Sequence, residues 1–467
     1  MYSANLIIKQ LNKLLISALF LFLTVHVFGQ DNSPYSRYGI GDLTPNQNIV
    51  NRGMGGISIG YSDYGLLGSP FNINFINPAA LGNISNTGNF SNTIFDLGSE
   101  LDFRTLKSSN GADKYNAKNL VISYMELAFP FSTKKMEKHG TNGGVSFGLR
   151  PISRINYKIE QSRRDNTTDS IHTLFEGNGG LNQINISAGI KKKGNGPHKN
   201  ELSFGVSSGF SFGIKDFSTK TTIINDTVPY LKSNFEVKSR MYGLFLNAGV
   251  QYFMHFKNGA TLRIGSYADL KQKLNAKQST INETFTYDYN GGEVMIDSVS
   301  LASDVKGSIL IPASYGVGFT YQSKNKQWLL GADYEVSNWN NYRYYDQTDY
   351  TQNNWVIRVG AEYYPAKSNG ANRKYSDYIK YRTGCYYGPD YIKLTESRTN
   401  FAFTGGLSLP LTTPRYIQSR GEYVTLNTSF EIGSRGSNVN TGIKEGFTRI
   451  NVGLSMNARW FQKRSYD

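Results

Sequence analysis

Apolar and polar residues alternate with a period of two along most of the chain. The clearest example is residues 202–214, LSFGVSSGFSFGI, in which large apolar residues and small Gly or Ser residues take turns. Successive side chains of a β-strand point to opposite faces, so this pattern predicts a strand with one apolar and one small, polar face. The sequence therefore predicts an all-β fold. The same phase recurs at 184–190, 242–252, 315–321, 355–363, 401–409, 424–432 and 450–460.

Two architectures produce this alternation. A soluble β-sandwich buries the apolar face in its core, whereas a transmembrane β-barrel turns that face toward lipid. Strands of soluble proteins average ~5–6 residues, and strands that span a bilayer need ~9–11. The stretch 202–214 exceeds the soluble average, and Tyr and Trp crowd strand ends such as 337–350. Length and aromatic placement therefore favour a transmembrane antiparallel β-barrel.

Counting candidate strands predicts the size of the barrel. Single-chain bacterial barrels have an even number of strands, so fifteen candidates predict about 14 strands, with 12 or 16 left open. The connections 161–170, 216–233 and 340–353 are predicted to be external loops. The candidate strands lie near 89–105, 119–131, 143–158, 171–191, 202–215, 234–253, 260–274, 279–290, 307–321, 327–339, 354–364, 377–387, 398–409, 423–433 and 448–461.

The N-terminus predicts export by a cleaved signal peptide, residues 1–29. Lys9 and Lys13 precede an apolar run, Leu14–Phe28, and cleavage is expected near Gly29 or Gln30. The alternative is a membrane anchor, but the apolar run is shorter than the ~18 residues of a spanning helix. Export and a barrel together predict that the chain lies in the outer membrane of the cell.

Charge and candidate chemistry exclude several classes of function. The net charge of +15 becomes +13 once Lys9 and Lys13 are removed, and the remaining basic residues are scattered, so no nucleic-acid partner is expected. The single Cys385 excludes an intrachain disulfide and a cysteine-based metal site. No histidine pair has metal-ligand spacing, and GMGGISIG misses the spacing of a dinucleotide-binding loop. The expectation is a protein that is not an enzyme and has no cofactor and no metal.

Residues 30–86 precede the first well-defined strand, and residues 87–467 are assigned to the barrel. Gly53, Gly55 and Gly56 permit positive φ and close approach of the backbone to a neighbour. Asn77-Pro78 favours a turn, and Pro78 also suits the first position of a short helix. This composition predicts a compact hatch, or plug, that folds inside the barrel against its Gly- and Ser-rich inner wall.

The hatch resembles that of the FadL/TodX family of outer-membrane transport proteins. That family has a glycine-rich start followed by Asn-Pro-Ala-(Gly/Ala)-Leu, and Asn77, Pro78, Ala79 and Leu81 match it, with Ala80 at the variable position. The stretch 33–43 resembles the mature start of the version found in Bacteroidota, and 307–321 with 330–339 resembles the later strands of the family. The resemblance implies a 14-stranded barrel with an N-terminal plug. It also implies passive uptake of hydrophobic solutes such as long-chain fatty acids or aromatic compounds.

The resemblance leaves a second function open. Barrels of the PorV type in type IX secretion resemble FadL but act through protein partners, so this chain is alternatively a non-transporting scaffold or accessory subunit of an outer-membrane complex. The small inner-face residues and the Tyr-rich loops favour this alternative. The expected partners are outer-membrane lipid and the barrel assembly machinery, with a hydrophobic small molecule in one hypothesis and partner proteins in the other.

Two further sets of residues are candidates for special roles. Pro151 lies within a predicted strand and cannot donate a ladder hydrogen bond, so it marks either a bulge near the rim or the kink of a lateral gate. The C-terminal strand resembles the assembly signal of outer-membrane barrels, which implies that Gly453, Trp460 and Phe461 direct insertion. That signal usually ends on its aromatic residue, whereas QKRSYD follows here.

Overall fold

A computed structural model describes most of the chain. The described residues are 33–63, 72–84, 92–108, 114–165, 169–196, 199–225, 230–289, 291–365, 374–394, 397–413, 422–436 and 443–459. The predicted signal peptide, residues 1–29, and the predicted assembly residues Trp460 and Phe461 lie outside this set.

The described residues form 18 strands in one antiparallel sheet. In chain order these are β1 (Asp42–Leu43), β2 (Asn92–Ser108), β3 (Lys114–Pro130), β4 (Thr141–Asp165), β5 (Asp169–Lys193), β6 (Glu201–Ile224), β7 (Lys232–His255), β8 (Thr261–Asp269), β9 (Gln272–Tyr287), β10 (Glu293–Ile311), β11 (Ser314–Gln322), β12 (Trp328–Ser337), β13 (Arg343–Tyr344), β14 (Asn354–Tyr363), β15 (Lys380–Lys393), β16 (Ser397–Pro410), β17 (Tyr423–Gly436) and β18 (Ile443–Arg459).

The sheet closes into a barrel of 14 strands, as the sequence predicts. β18 pairs with β2 along the whole of both strands, which closes the sheet. β8 and β9 both pair with β7 and together form one barrel strand, and β10 and β11 together form the next one. The fifteenth sequence candidate arose because 260–274 and 279–290 are two parts of this one strand, interrupted after Asp269.

In the described part of the chain, helices are few and short. The α-helices are α1 (Ile49–Arg52) and α2 (Lys134–Lys138), and the 3-10 helices are Pro34–Arg37, Pro78–Asn83, Trp339–Asn341 and Tyr375–Tyr378. Among the described residues, no helix has the length and apolar character required to cross a membrane.

The two faces of the wall differ as the alternation predicts. On β6, Phe204 and Val206 are 54% and 51% exposed, whereas Ser203 and Ser207 are almost fully buried toward the lumen. Exposed apolar residues recur on the outward face around the barrel, and exposed aromatic residues lie at both edges of this belt. This arrangement is that of an outer-membrane-type barrel. The edge aromatics include Tyr252, Tyr321, Trp328 and Tyr381 at one edge and Tyr242, Tyr315 and Tyr387 at the other.

The barrel has a tall side. We call the end at which β2 begins and β18 ends the inner end, and the opposite end the outer end. At the outer end β4, β5, β6, β7, β9 and β10 continue beyond the belt as one six-stranded sheet, here called the outer curtain. Residues 161–165 and 216–224, predicted to be loop, are therefore strand, because they continue the ladders of β4 and β6.

The N-terminal segment fills the lumen. Its first part, residues 33–44, lies at the outer end and is called the outer cap; residues 48–63 and 72–84 follow toward the inner end and are called the hatch. Tyr35 and Ile40 of the outer cap are buried in one apolar cluster with Trp339, Tyr342 and Tyr391 of the wall and its connections. The chain then leaves the hatch to begin β2 at the inner end.

Candidate functional site: the plugged lumen

The hatch glycines lie directly against the barrel wall. Gly55 has φ +69°, and a Cβ atom built on it would lie 2.6 Å from the carbonyl oxygens of Val359 and Cys385. Side chains rarely adopt this backbone conformation, so both the angle and the space require glycine. Gly53 and Gly56, the other predicted hatch glycines, are also buried.

Glycines of the wall also lie directly against the hatch. A Cβ atom added at Gly205 would lie under 3.0 Å from Pro78, one at Gly249 under 3.0 Å from Asn77, and one at Gly360 under 3.0 Å from Met54. The small inner-face residues that the sequence displays thus make room for the backbone of the hatch rather than for an open pore.

Asn77 connects the hatch to the wall. Its Oδ1 accepts a hydrogen bond from the backbone N–H of Ala79 at 3.1 Å and so caps the 3-10 helix Pro78–Asn83. Its Nδ2 donates to the carbonyl oxygens of Val250 and Ser266, each at 3.2 Å. Buried polar groups of this kind are costly unless they are hydrogen-bonded. The turn at Asn77-Pro78 therefore fixes the position of the hatch along the barrel axis relative to the wall. Leu81 is buried with Ile73, Ile84, Ile94 and Ala128.

Buried ion pairs bind the hatch to two wall strands. Asn48 caps α1 by accepting from the N–H of Asn51, and this helix places Arg52 in the middle of the lumen. Arg52 Nη2 lies 2.5 Å from Glu100 of β2, and its Nε lies 2.7 Å from Glu431 of β17. All three side chains are 2% exposed. Removing one member of such a group would leave uncompensated charge in the interior.

A second set of ion pairs holds the outer cap. Asp42 of β1 contacts Arg104 at 2.9 Å and also contacts Arg435. Arg435 in turn lies 2.8 Å from Asp390. Burial alone would raise the pKa of Asp42, but the guanidinium groups of Arg435 and Arg104 hold that pKa well below its usual range. Asp42 is therefore charged at all physiological pH values, and the cap is held electrostatically.

Sequence reasoning missed these charged residues, although a signal for them exists. In residues 99–104, Glu100, Asp102 and Arg104 alternate with Leu101 and Phe103, so three charges lie on the inward phase of a predicted strand. Periodicity gives the face of a residue, but it does not give the partner across a barrel. The pairing of Arg52 with Glu431, which is 379 residues distant, could not be predicted.

Pro151 lies where the wall is incomplete. β3 and β4 pair only between Met125–Pro130 and Gly144–Leu149, so the outer half of β3 has no hydrogen bonds to β4. A register shift in the β4–β5 ladder between Pro151 and Ser153 marks a bulge at this level. The bulge at Pro151 occurs at the level where β4 separates from β3.

The outer cap covers this gap from inside. β1 pairs with Ser153 and Arg154 of β4, the free edge that β3 leaves. Thr44 Oγ1 donates to the carbonyl oxygen of Pro151 at 2.7 Å, and the N–H of Thr44 donates to that of Ile152 at 3.0 Å. The N-terminal segment thus acts as a short extra strand at the gap.

A cavity of about 250 Å³ lies between the outer cap and the hatch. Part of its lining is apolar, including Leu43 and Ile152 next to the gap. Much of the remainder is ionic. Binding pockets for apolar molecules are lined mainly by apolar side chains, so this lining is not typical of them. The charged residues that line it are Arg52, Arg150, Asp269, Glu335, Arg358, Asp390, Glu431, Arg435 and Arg449.

Gly453 lies in β18 and pairs with Asn427 on one side and Gly98 on the other. Over the described residues, no group of three or more His, Cys, Asp or Glu side chains could hold a metal ion.

A family model named BamG matches residues 8–467. The chain belongs to the BamG family. The match covers both the plug and the barrel, so both are parts of the family's common chain. A search of curated proteins gives no match.

Solved structures similar to this BamG family member include, by their titles, a FadL homologue, a monoaromatic hydrocarbon channel and a toluene transporter. A Pseudomonas aeruginosa FadL homologue has 12% identity and a TM-score of 0.50, over 90% of this chain and 99% of that one. A TodX deltaS2S3 mutant, a monoaromatic hydrocarbon channel, has 13% identity and a TM-score of 0.50, over 88% and 99%. The Ralstonia pickettii toluene transporter TbuX has 15% identity and a TM-score of 0.49, over 88% and 98%. At this identity the likeness shows the FadL-type fold.

Proposed function

We propose that this chain is a plugged, non-conducting barrel of the outer membrane that acts through protein partners, as an accessory subunit of a larger complex. The observation that carries the proposal is the ionic lumen. Arg52 is bonded to both Glu100 and Glu431, and Asp42 to both Arg104 and Arg435, all of them buried. An apolar solute that entered this region would have to displace charges that are already paired.

The family name supports a particular process for the complex. The name BamG indicates a connection with the assembly of β-barrels. We therefore propose that the complex in which this chain serves is one that inserts or assembles outer-membrane barrels. In this role the lumen is only required to stay shut, and the outer surface carries the function.

The second candidate function is passive uptake of hydrophobic solutes, and one observation favours it. The cavity of about 250 Å³ reaches Leu43 and Ile152, which lie beside the gap between β3 and β4. A small apolar molecule could pass from such a cavity into the lipid through the gap if β1 moved away from β4. Pro151 would then mark the lateral opening, and the FadL-type fold agrees with this candidate.

One experiment separates the two functions. The native protein is purified from its membrane in a mild detergent, and both its protein partners and its bound small molecules are identified by mass spectrometry. Stoichiometric protein partners without a bound apolar molecule are the expected result. A monomer that retains fatty-acid-like or aromatic molecules would contradict the accessory-subunit proposal and favour uptake.

A further inference from the structure

The outer curtain ends in two free edges that differ in chemistry. One edge is β4, whose ladder with β3 stops at Leu149. The other is β10, which has a strand on its second side only at Ile309 and Leu310, where β13 pairs with it. Tyr345 extends this cover by bonds to the carbonyl oxygens of Ser308 and Val305. From Glu293 to Asp304, no described strand lies beside β10 on that side.

The curtain stands in water and not in lipid. Its outward face carries ion pairs between Lys158 and Glu176 at 3.1 Å and between Lys220 and Glu293 at 2.6 Å. Charged side chains on the lipid face of a barrel are destabilising, so this face begins where the membrane ends. Apolar side chains at this height are therefore exposed to solvent.

The β4 edge shows the usual protection of a free strand. Lys158, Glu160, Arg163 and Arg164 lie along it, and all four are exposed. Charged side chains on an edge strand discourage pairing with another chain, because pairing would desolvate them. The β4 edge therefore gives no reason to expect a strand from another protein.

The β10 edge is instead largely apolar. Val299 and Leu301 are 68% and 62% exposed, and four further apolar residues of this strand are at least 46% exposed. Every residue of 293–304 is exposed, so apolar side chains lie on both faces of the curtain here, and three register shifts interrupt the ladder with β9. A long, exposed, apolar edge is a site for the addition of a strand from another protein. The four further residues are Val294, Met295, Ile296 and Val305.

Charge specifies the chemistry of the added strand. Between Glu293 and Val305 the edge carries three carboxylates and no basic residue; Glu293 already pairs with Lys220, whereas Asp297 and Asp304 are exposed to solvent. Two copies of β10 side by side would bring like charges together, which is unfavourable. A strand with apolar residues and interspersed Lys or Arg would match both the apolar side chains and the carboxylates.

We propose that the β10 edge, Glu293–Asp304, binds an extended, basic and apolar segment of a different protein as an additional strand of the outer curtain. This inference rests on the accessory-subunit function proposed above and names the surface that would serve it. The partner lies on the outer side of the membrane, because the curtain projects beyond the outer edge of the lipid belt.

Photo-crosslinking in intact cells tests the proposal. A photoreactive amino acid is placed at Val299 or Leu301 of the full-length chain, and at Gln161 of the charged β4 edge as the control. We expect a discrete crosslink to a second protein from the β10 positions and none from Gln161. Mass spectrometry should place the crosslink in an extended segment with alternating apolar residues and at least one Lys or Arg. A crosslink to a second copy of this chain, to lipid only, or to no molecule would overturn the proposal.

Two further measurements separate strand addition from loose contact. The double variant V299K/L301K should lose the crosslinked partner during purification by at least tenfold, while the heat-modifiable barrel is present at its normal level. Backbone amides of residues 293–304 should exchange at least tenfold more slowly in the native complex than in the isolated barrel. Unchanged exchange would overturn the proposal of strand addition. If the native complex persists in V299K/L301K, the β10 proposal is wrong and the accessory-subunit function still stands.

Discussion

At the scale of single residues, buried charge holds the plug. Arg52 bridges two carboxylates that are 2% exposed, so its removal would leave Glu100 only Arg154, and Glu431 only Arg449, as a paired cation. We expect R52A to reduce the free energy of unfolding by about 3–5 kcal/mol. The exposed pair Lys158–Glu176 is the control, and K158A should cost less than about 1 kcal/mol. Unfolding in urea, monitored by the loss of heat-modifiability, measures the free energy of unfolding of both variants. Equal effects would show that Arg52 does not anchor the plug.

Backbone conformation supplies a second prediction at this scale. Gly55 combines positive φ with close contact to two carbonyl oxygens, whereas Gly446 of β18 has no atom within 4 Å of an added Cβ. We expect G55A to lower the free energy of unfolding by roughly 2–4 kcal/mol, the sum of a left-handed backbone and overpacking. The control G446A should change it little. The same assay compares them, and a G55A barrel as stable as G446A would contradict the close packing of the hatch.

At the scale of elements, alternation was sufficient to predict the wall. Positions 202–214 face alternately lipid and lumen, so their period reports their environment directly, and the 14-stranded barrel is confirmed. Residues 293–305 escaped prediction because both faces of that part of β10 are exposed and no alternation arises. The ion pairs of the lumen also escaped, because they join residues that are distant in sequence.

The contact between β1 and β4 gives a prediction for an element. Thr44 Oγ1 donates to the carbonyl oxygen of Pro151, and T44V removes this donor. A hydrogen bond of this kind contributes about 1 kcal/mol, so local opening should rise ~5-fold. Hydrogen exchange of the backbone amides of residues 150 and 152–156 measures it, since Pro151 has no N–H. T105V, which removes an exposed bond to Asn116, is the control and should leave these amides unchanged. Unaltered exchange in T44V would show that β1 does not close the gap.

At the scale of the whole molecule, wall and plug are separable. The ladder closes through β18 and β2 without any contribution from the N-terminal segment. A variant that keeps the predicted signal peptide but lacks Gln30–Gly82 should therefore still insert, because the wall strands keep their hydrogen bonds to one another. Its single-channel conductance should rise from near zero to that of an open pore. Normal insertion with unchanged conductance would contradict the plug.

The position of the buried ion pairs also has a consequence in time. Arg52 and Asp42 are made early during synthesis, and each is held by one partner from β2, the first wall strand, and one from β17, near the end of the chain. Neither residue can complete its bonds until the last strands have arrived and the two ends of the wall have met. The ion pairs of Arg52 and Asp42 are therefore complete only in a complete barrel. An interrupted or truncated chain lacks the β17 half of these ion pairs, and this distinguishes it from a finished one.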